Sequence, residues 1–168
     1  MELEAFKTTV VPLRTKLLHI SLRLLDEPAD AEDVVQEVLL KLWQMRDQLD
    51  QYHSVEALAV TMTKNLTLDK IKLRKPQGDE AELLRLDSGM RNPELSLEQK
   101  DAVDCIRRLI EELPPLQQAI IRMKDIEGYE LAEIASITGT QVESVRSNLS
   151  RARKKVREQY VQIMSYKI

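Results

Sequence analysis

The sequence predicts an all-α fold, two small helical domains joined by a flexible linker, on three observations. Aromatic residues make up 4% of the 168 and there are 4 glycines, a composition that disfavours sheets and their glycine-rich turns. Apolar residues at 43% and charged residues at 32% supply a core and exclude a disordered chain. Apolar positions also recur at intervals of three and four, the period of a helix face, with one lapse between Lys75 and Asn92.

The first helical pattern runs from Leu3 to Leu25 through Phe6, Val10, Leu13, Leu17, Ile20 and Leu24, and Asp26-Glu27-Pro28 ends it. Asp30 is the expected N-cap of a second helix, from Ala31 to about Leu49, with Glu32 and Asp33 in its first turn, where the helix dipole favours acids. Val34, Val38, Leu42, Met45 and Leu49 form one stripe and Val35, Leu39 and Trp43 a second, a breadth that implies burial against more than one neighbour. After a polar loop, Asp50 to His53, Ser54 caps a third helix that carries Val55, Leu58, Met62, Leu66 and Ile71 to about Arg74.

Pro76-Gln77-Gly78, Ser88-Gly89 and Asn92-Pro93 are turn signals around an acidic patch, which marks the linker. Periodicity resumes near Leu95 and passes through Val103, Ile106, Leu109 and Leu113 to Pro114-Pro115. Leu116 to about Glu127, Tyr129 to Ile137 and Thr140 to about Met164 are read as three further helices, with Gly128 a stop between the first two. The C-terminal domain is therefore expected to hold four helices.

Whole-chain features exclude several functions. Cys105 is alone, so no internal disulfide or cysteine zinc cluster is expected, and His19 and His53 lack partners at ligand spacing. Neither a metal nor a cofactor is expected. Cys105 shares an apolar stripe with Ile106 and Leu109, where cysteine behaves as a small hydrophobe, and no nucleophile and base pair is legible; the chain reads as a non-enzyme. Met1-Glu2-Leu3-Glu4 is neither basic nor apolar and no window approaches the ~20 apolar residues of a membrane span, so a cytoplasmic protein without membrane insertion is expected.

Net charge is −3, unevenly placed. From Gln141 to Ile168 there are seven basic residues, Arg146, Arg151, Arg153, Lys154, Lys155, Arg157 and Lys167, against Glu143 and Glu158, so this end attracts anions. It also carries a helix-turn-helix pattern. Close crossing of two helices needs a small residue on the first, one tolerant of left-handed φ in the turn and a β-branched residue on the second, and Ala135, Gly139 and Val145 occur in that order. A recognition helix needs hydrogen-bonding side chains toward base edges and cations for phosphates. Gln141, Ser144, Arg146, Ser147 and Ser150 supply the first, with Arg146 a candidate for bidentate guanine contact, and Arg151, Arg153, Lys154 and Lys155 supply the second. An ordinary helical hairpin with a solvated basic face is the plainer alternative.

Leu113-Pro114-Pro115-Leu116-Gln117-Gln118-Ala119, then Glu127 to Ala135 and Val142 to Arg153, resemble the fourth domain of bacterial sigma factors. Asp30 to Trp43 resembles the polymerase-binding helix of their second domain, and Lys64-Asn65-Leu66-Thr67-Leu68-Asp69 its promoter-reading helix. The chain is thus similar to the two-domain extracytoplasmic-function sigma factors. The resemblance implies a second domain at 1–74, a linker at 75–93 and a fourth domain at 94–168, with core RNA polymerase (its clamp helices and flap) and promoter DNA, duplex and opened strand, as partners. An anti-sigma factor is a further partner it allows.

By matching position, Asp33, Gln36, Glu37 and Leu40 would dock on polymerase, with Trp43 a core anchor. Asn65 would help to form a pocket for an unstacked minus-ten base, with Lys64, Lys70, Lys72 and Arg74 on the opened strand. The third helix lacks the aromatics usual in the family, which leaves Tyr52 as the expected stacking ring. The acidic linker, with Asp79, Glu80, Glu82 and Asp87, would thread near the polymerase active site by mimicking nucleic acid, or serve as a plain tether. Two other classes fit parts of the pattern. A DNA-binding regulator would explain the C-terminal half and bind duplex without polymerase. A helical adaptor would bind DNA weakly and without the steep salt dependence of phosphate neutralisation.

Overall fold

The computed structural model describes residues 1–74 and 96–166, and the chain divides into two compact units, Met1–Ser88 and Gly89–Ile168. The expected linker with its acidic residues lies outside the described residues, as does Lys167. Among the described residues there are eight α-helices and no strand.

The first unit contains α1 (Leu3–Thr9), a 3-10 turn (Val11–Leu13), α2 (Arg14–Leu24), α3 (Pro28–Gln44), a second 3-10 turn (Arg46–Gln51) and α4 (Val55–Arg74). The single helix expected from Leu3 to Leu25 is broken in two. Pro12 has no N–H, and in an unbroken helix its ring would strike the Thr8 carbonyl. The chain tightens instead, with Leu13 N–H donating to the Val10 carbonyl at 3.0 Å. The tighter turn shifts the phase of α2. Phe6, Val10, Leu17, Ser21 and Leu25 now line the core, while Leu24, expected on the stripe, is 45% exposed.

Pro28 opens α3 where it was expected only to end the preceding helix. At the first helical position its missing N–H is one that no helix would use, and its φ is preset. Glu27, in extended conformation, is the N-cap residue in place of Asp30, which joins the first turn. The second helix, expected to reach Leu49, ends at Gln44, yet the 3-10 turn still delivers Leu49 to the core at 1% exposure. Val34, Val35, Val38 and Leu42 are buried to 1% or less, each contributing about 1.5–3 kcal/mol of transfer free energy.

Ser54 caps α4 as expected, accepting from Ala57 N–H at 3.0 Å. The face that α4 buries is more polar than its leucines implied, with Thr61, Thr63 and Thr67 beside Leu58, Ala59 and Met62. The Thr67 hydroxyl donates to the Thr63 carbonyl at 2.7 Å, and the Thr63 hydroxyl to the Ala59 carbonyl at 2.8 Å. Ser21 Oγ of α2 lies 3.0 Å from Thr67 Oγ1. Because the single Thr67 proton is committed to its own helix, Ser21 is the donor. Short hydroxyl side chains therefore join α2 to α4 with every buried oxygen of the pair satisfied.

The second unit contains α5 (Leu97–Glu111), α6 (Pro115–Ile121), a π turn (Arg122–Ile126), α7 (Leu131–Thr138) and α8 (Val142–Ser165). The sequence reading missed the start of α5. Ser96 Oγ accepts from Gln99 N–H at 3.2 Å and Gln99 Oε1 accepts from Ser96 N–H at 3.0 Å, a reciprocal capping box. The helix expected from Leu116 to Glu127 is α-helical only to Ile121. It then widens, with Glu127 N–H donating five residues back to the Arg122 carbonyl at 2.9 Å. Met123 stays in the core at 2% exposure, and Gly128, at φ 75°, reverses the chain.

Thr67→Val strands the Ser21 hydroxyl in the core without its acceptor, and we expect it to lower stability by about 1–3 kcal/mol. Ser21→Ala combined with Thr67→Val should recover most of that loss, since the pair is then apolar throughout. Urea titration followed by circular dichroism checks both.

Candidate protein and nucleic-acid interfaces

Burial of Ala31, Val34, Val38 and Leu42 on one side of α3 turns Asp33, Gln36, Glu37 and Leu40 outward. All four are exposed, Leu40 by 55%, and at about 100° per residue they share an arc of ~100°. An exposed leucine among carboxylates suits a protein partner, because carboxylates repel phosphate. Glu37 pairs with Lys41 at 3.9 Å, and Asp33 with Lys70 of α4 at 3.7 Å; such solvent-exposed pairs contribute little to stability. Trp43, half-buried at the edge of this face, meets Phe6 edge-on at 5.1 Å and carries the Arg46 guanidinium 4.2 Å above its ring.

On α4, Lys64 and Lys72 are exposed and Asn65 is half-buried, and the helical period places these three on one face. Lys70 lies on the other side, beside Asp33, and the Arg74 side chain lies outside the described residues. Tyr52, expected to offer its ring to an unstacked base, is a core side chain at 9% exposure. The 3-10 turn draws it inward as Tyr52 N–H donates to the Leu49 carbonyl at 3.2 Å. Extracting such a ring would forfeit about 1.5–3 kcal/mol of burial, so the stacking role does not fit this conformation.

In the second unit, α7 and α8 make the helix-turn-helix. Gly139 takes φ 68° and ψ 29°, the left-handed conformation that ends α7, and Thr140 N–H closes onto the Ala135 carbonyl at 3.1 Å. A side chain at Gly139 would strain that turn. Val145 is fully buried, with Ile134 and Ile137 of α7 also at 0% exposure, and Ala135 is half-buried. Glu133 Oε1 accepts from Glu130 N–H at 3.0 Å and steadies the start of α7.

Val145, Leu149, Ala152 and Val156 form the buried stripe of α8. The opposite side presents Ser147, Ser150, Arg151 and Lys154, with Arg146 and Lys155 on its two flanks, all exposed, and Gln141 is exposed at the N-cap. Ser144 is half-buried, and the Asn148 amide donates to both its carbonyl (2.9 Å) and its hydroxyl (3.3 Å). Arg153 departs from the expected phosphate role. Its Nε donates to Asp125 Oδ2 at 2.9 Å and its Nη2 to Asp125 Oδ1 at 2.5 Å. That hydrogen bonding, above all, raises the already high Arg153 pKa.

Sequence reasoning missed Asn148 and Asp125 as hydrogen-bond partners of Ser144 and Arg153 on α8. The spacing of Asn148 to Ser144, one helical turn, was a usable signal. Asp125 stands 28 residues from Arg153, and no local pattern links them.

Residues 10–76 match the family model for Sigma-70 region 2, and residues 103–156 that for Sigma-70 region 4. The chain is 25% identical over 166 residues to the ECF RNA polymerase sigma factor SigW of Bacillus subtilis, covering 93% of this chain and 89% of that one. It is 28% identical over 164 residues to the ECF RNA polymerase sigma-E factor of Escherichia coli, with 91% and 85% covered. Against the probable RNA polymerase sigma factor RfaY of Xanthomonas campestris it is 29% identical over 164 residues, spanning 95% of this chain and 41% of that longer protein. With both sigma regions matched in order and relatives of that type aligned over most of its length, the chain belongs to the sigma-70 family, as an RNA polymerase sigma factor of the extracytoplasmic-function type.

Proposed function

We propose a division of the sigma factor's work among three helix faces. The protein binds core RNA polymerase and directs transcription from specific promoters. Residues 1–74 act as domain two and residues 94–168 as domain four, with 75–93 between them. The outward face of α3, Asp33, Gln36, Glu37 and Leu40, docks on polymerase. Lys64, Asn65 and Lys72 of α4 hold the opened minus-ten strand, where a hydrogen-bonding pocket and backbone cations offset the few kcal/mol needed to extrude a base. The outward face of α8 enters the major groove of the minus-thirty-five element, with Arg146 toward base edges and Arg151, Lys154 and Lys155 toward phosphates.

The observation that carries this reading is the placement of α8, whose Arg146, Ser147, Ser150, Arg151, Lys154 and Lys155 are exposed around a fully formed apolar stripe. The part played is recognition rather than bond-making, exercised in the cytoplasm, where polymerase meets the chromosome. Run-off transcription with core polymerase on pooled genomic fragments tests it. Discrete new start sites that need both components are expected. Duplex binding by this protein alone, with no new transcript, would favour the regulator class instead.

Three variants test the assignment. Leu40→Ala is expected to weaken core-polymerase affinity about tenfold, or about 1.4 kcal/mol, while leaving the melting temperature unchanged because the side chain is already in solvent; unchanged affinity would remove α3 from the docking surface. Asn65→Ala should reduce permanganate-reactive open complexes without altering binding to a minus-thirty-five duplex. Arg151→Ala with Lys154→Ala should flatten the dependence of log affinity on log salt by about 0.9 per phosphate lost, and an unchanged slope would place the DNA elsewhere.

A further inference from the structure

We infer that the Asp125–Arg153 bond is an orientation clamp that sets the roll of α8 for duplex reading, which makes Arg153 a positioning residue rather than a phosphate ligand. This rests on the assignment of α8 to the minus-thirty-five element. Apolar packing through Val145, Leu149, Ala152 and Val156 holds α8 against the unit, but burial is not directional and small aliphatic side chains tolerate a few degrees of roll. A two-pronged guanidinium–carboxylate bond is directional. Two Arg153 donors, on Nε and Nη2, engage Asp125, and the helical period puts Arg153 on the same flank as Arg146, two turns later along the helix, between the buried stripe and the outward face. Fixing the flank at Arg153 therefore fixes the direction in which Arg146 leaves the helix.

The π turn explains how Asp125 comes to stand there. A π turn adds one residue to the turn and rotates everything beyond it relative to a regular helix. Asp125 lies inside that turn, Arg122–Ile126. The turn is held by Glu127 N–H on the Arg122 carbonyl (2.9 Å), Tyr129 N–H on the Met123 carbonyl (2.8 Å) and Lys124 Nζ on the Tyr129 carbonyl (3.2 Å). The segment before the helix-turn-helix is thus widened at the place from which its carboxylate reaches the reading helix. The pair is neutral as a whole and adds no net attraction for DNA. A phosphate that sought Arg153 would find only the Nη edge left and would lie close to the Asp125 carboxylate, which repels it.

The test measures binding of holoenzyme, full chain plus core polymerase, to duplexes bearing either the mapped minus-thirty-five element or a scrambled one, across a salt series. Arg153→Lys keeps the charge and loses the fork. The clamp predicts about a tenfold loss of discrimination between the two duplexes with an unchanged salt slope, the same loss for Asp125→Asn, and recovery in the exchanged pair Asp125→Arg with Arg153→Asp. The inference is overturned if Arg153→Lys and Asp125→Asn both discriminate like wild type while Arg153→Ala lowers the slope by about 0.9, the signature of one lost phosphate contact. It also falls, together with the assignment of α8, if wild-type holoenzyme does not distinguish the duplexes. All these side chains are partly exposed, and circular dichroism confirms that each variant is folded before binding is read.

Discussion

Burial of Val145 decides what α8 shows to solvent. The residue is fully enclosed near the start of α8, and Leu149, Ala152 and Val156 follow it at helical spacing into the same core. With the register so constrained, the identity of every outward residue on α8 follows. A slip of one position would turn the surface by about 100°, burying cations and exposing aliphatics. The left-handed Gly139 delivers the chain to that register, because no neighbouring residue in the turn takes a positive φ. On the proposed assignment of α8, specificity for DNA is in this sense a by-product of how a few apolar side chains close a core.

The first unit solves the same problem with different chemistry. Its α3 is one-sided for the same reason as α8, a buried aliphatic stripe, but its outward face is acidic around a single leucine and therefore suits protein. The neighbouring α4 is held partly through hydroxyls, Ser21 to Thr67 to the Thr63 carbonyl. Such contacts allow close helix approach and are directional, so they fix α4 against α2 more uniquely than leucines of equal area would. The cost is sensitivity: a buried hydroxyl must keep its partner.

Both one-sided helices were legible in the sequence because periodicity reports burial directly. Asp33, Gln36, Glu37 and Leu40 are exposed for the reason that Val34, Val38 and Leu42 are buried, and Gly139 and Val145 stand where close helix crossing requires them. Prolines are harder to read. The apolar stripe runs past Pro12 without a lapse and so hides the break there, and Pro28 after two acids reads as a stop although its ring suits a helix start equally well. Tyr52 was assigned by its chemistry alone, and an aromatic ring after a polar loop serves a core as readily as a base. Arg153 was counted with its basic neighbours because charge composition does not reveal a carboxylate 28 residues away, and the π turn that presents Asp125 has no periodic signature.

The ring at position 43 has an optical consequence. It is the sole tryptophan in the chain, so ultraviolet excitation at its red edge lights one place, the rim of the outward face of α3, one turn beyond Leu40. A guanidinium above an indole and a phenyl edge beside it make its emission sensitive to any displacement of Arg46. The protein thus contains a tryptophan beside one helix face and none in the unit that carries α8, which separates two encounters spectroscopically without a label.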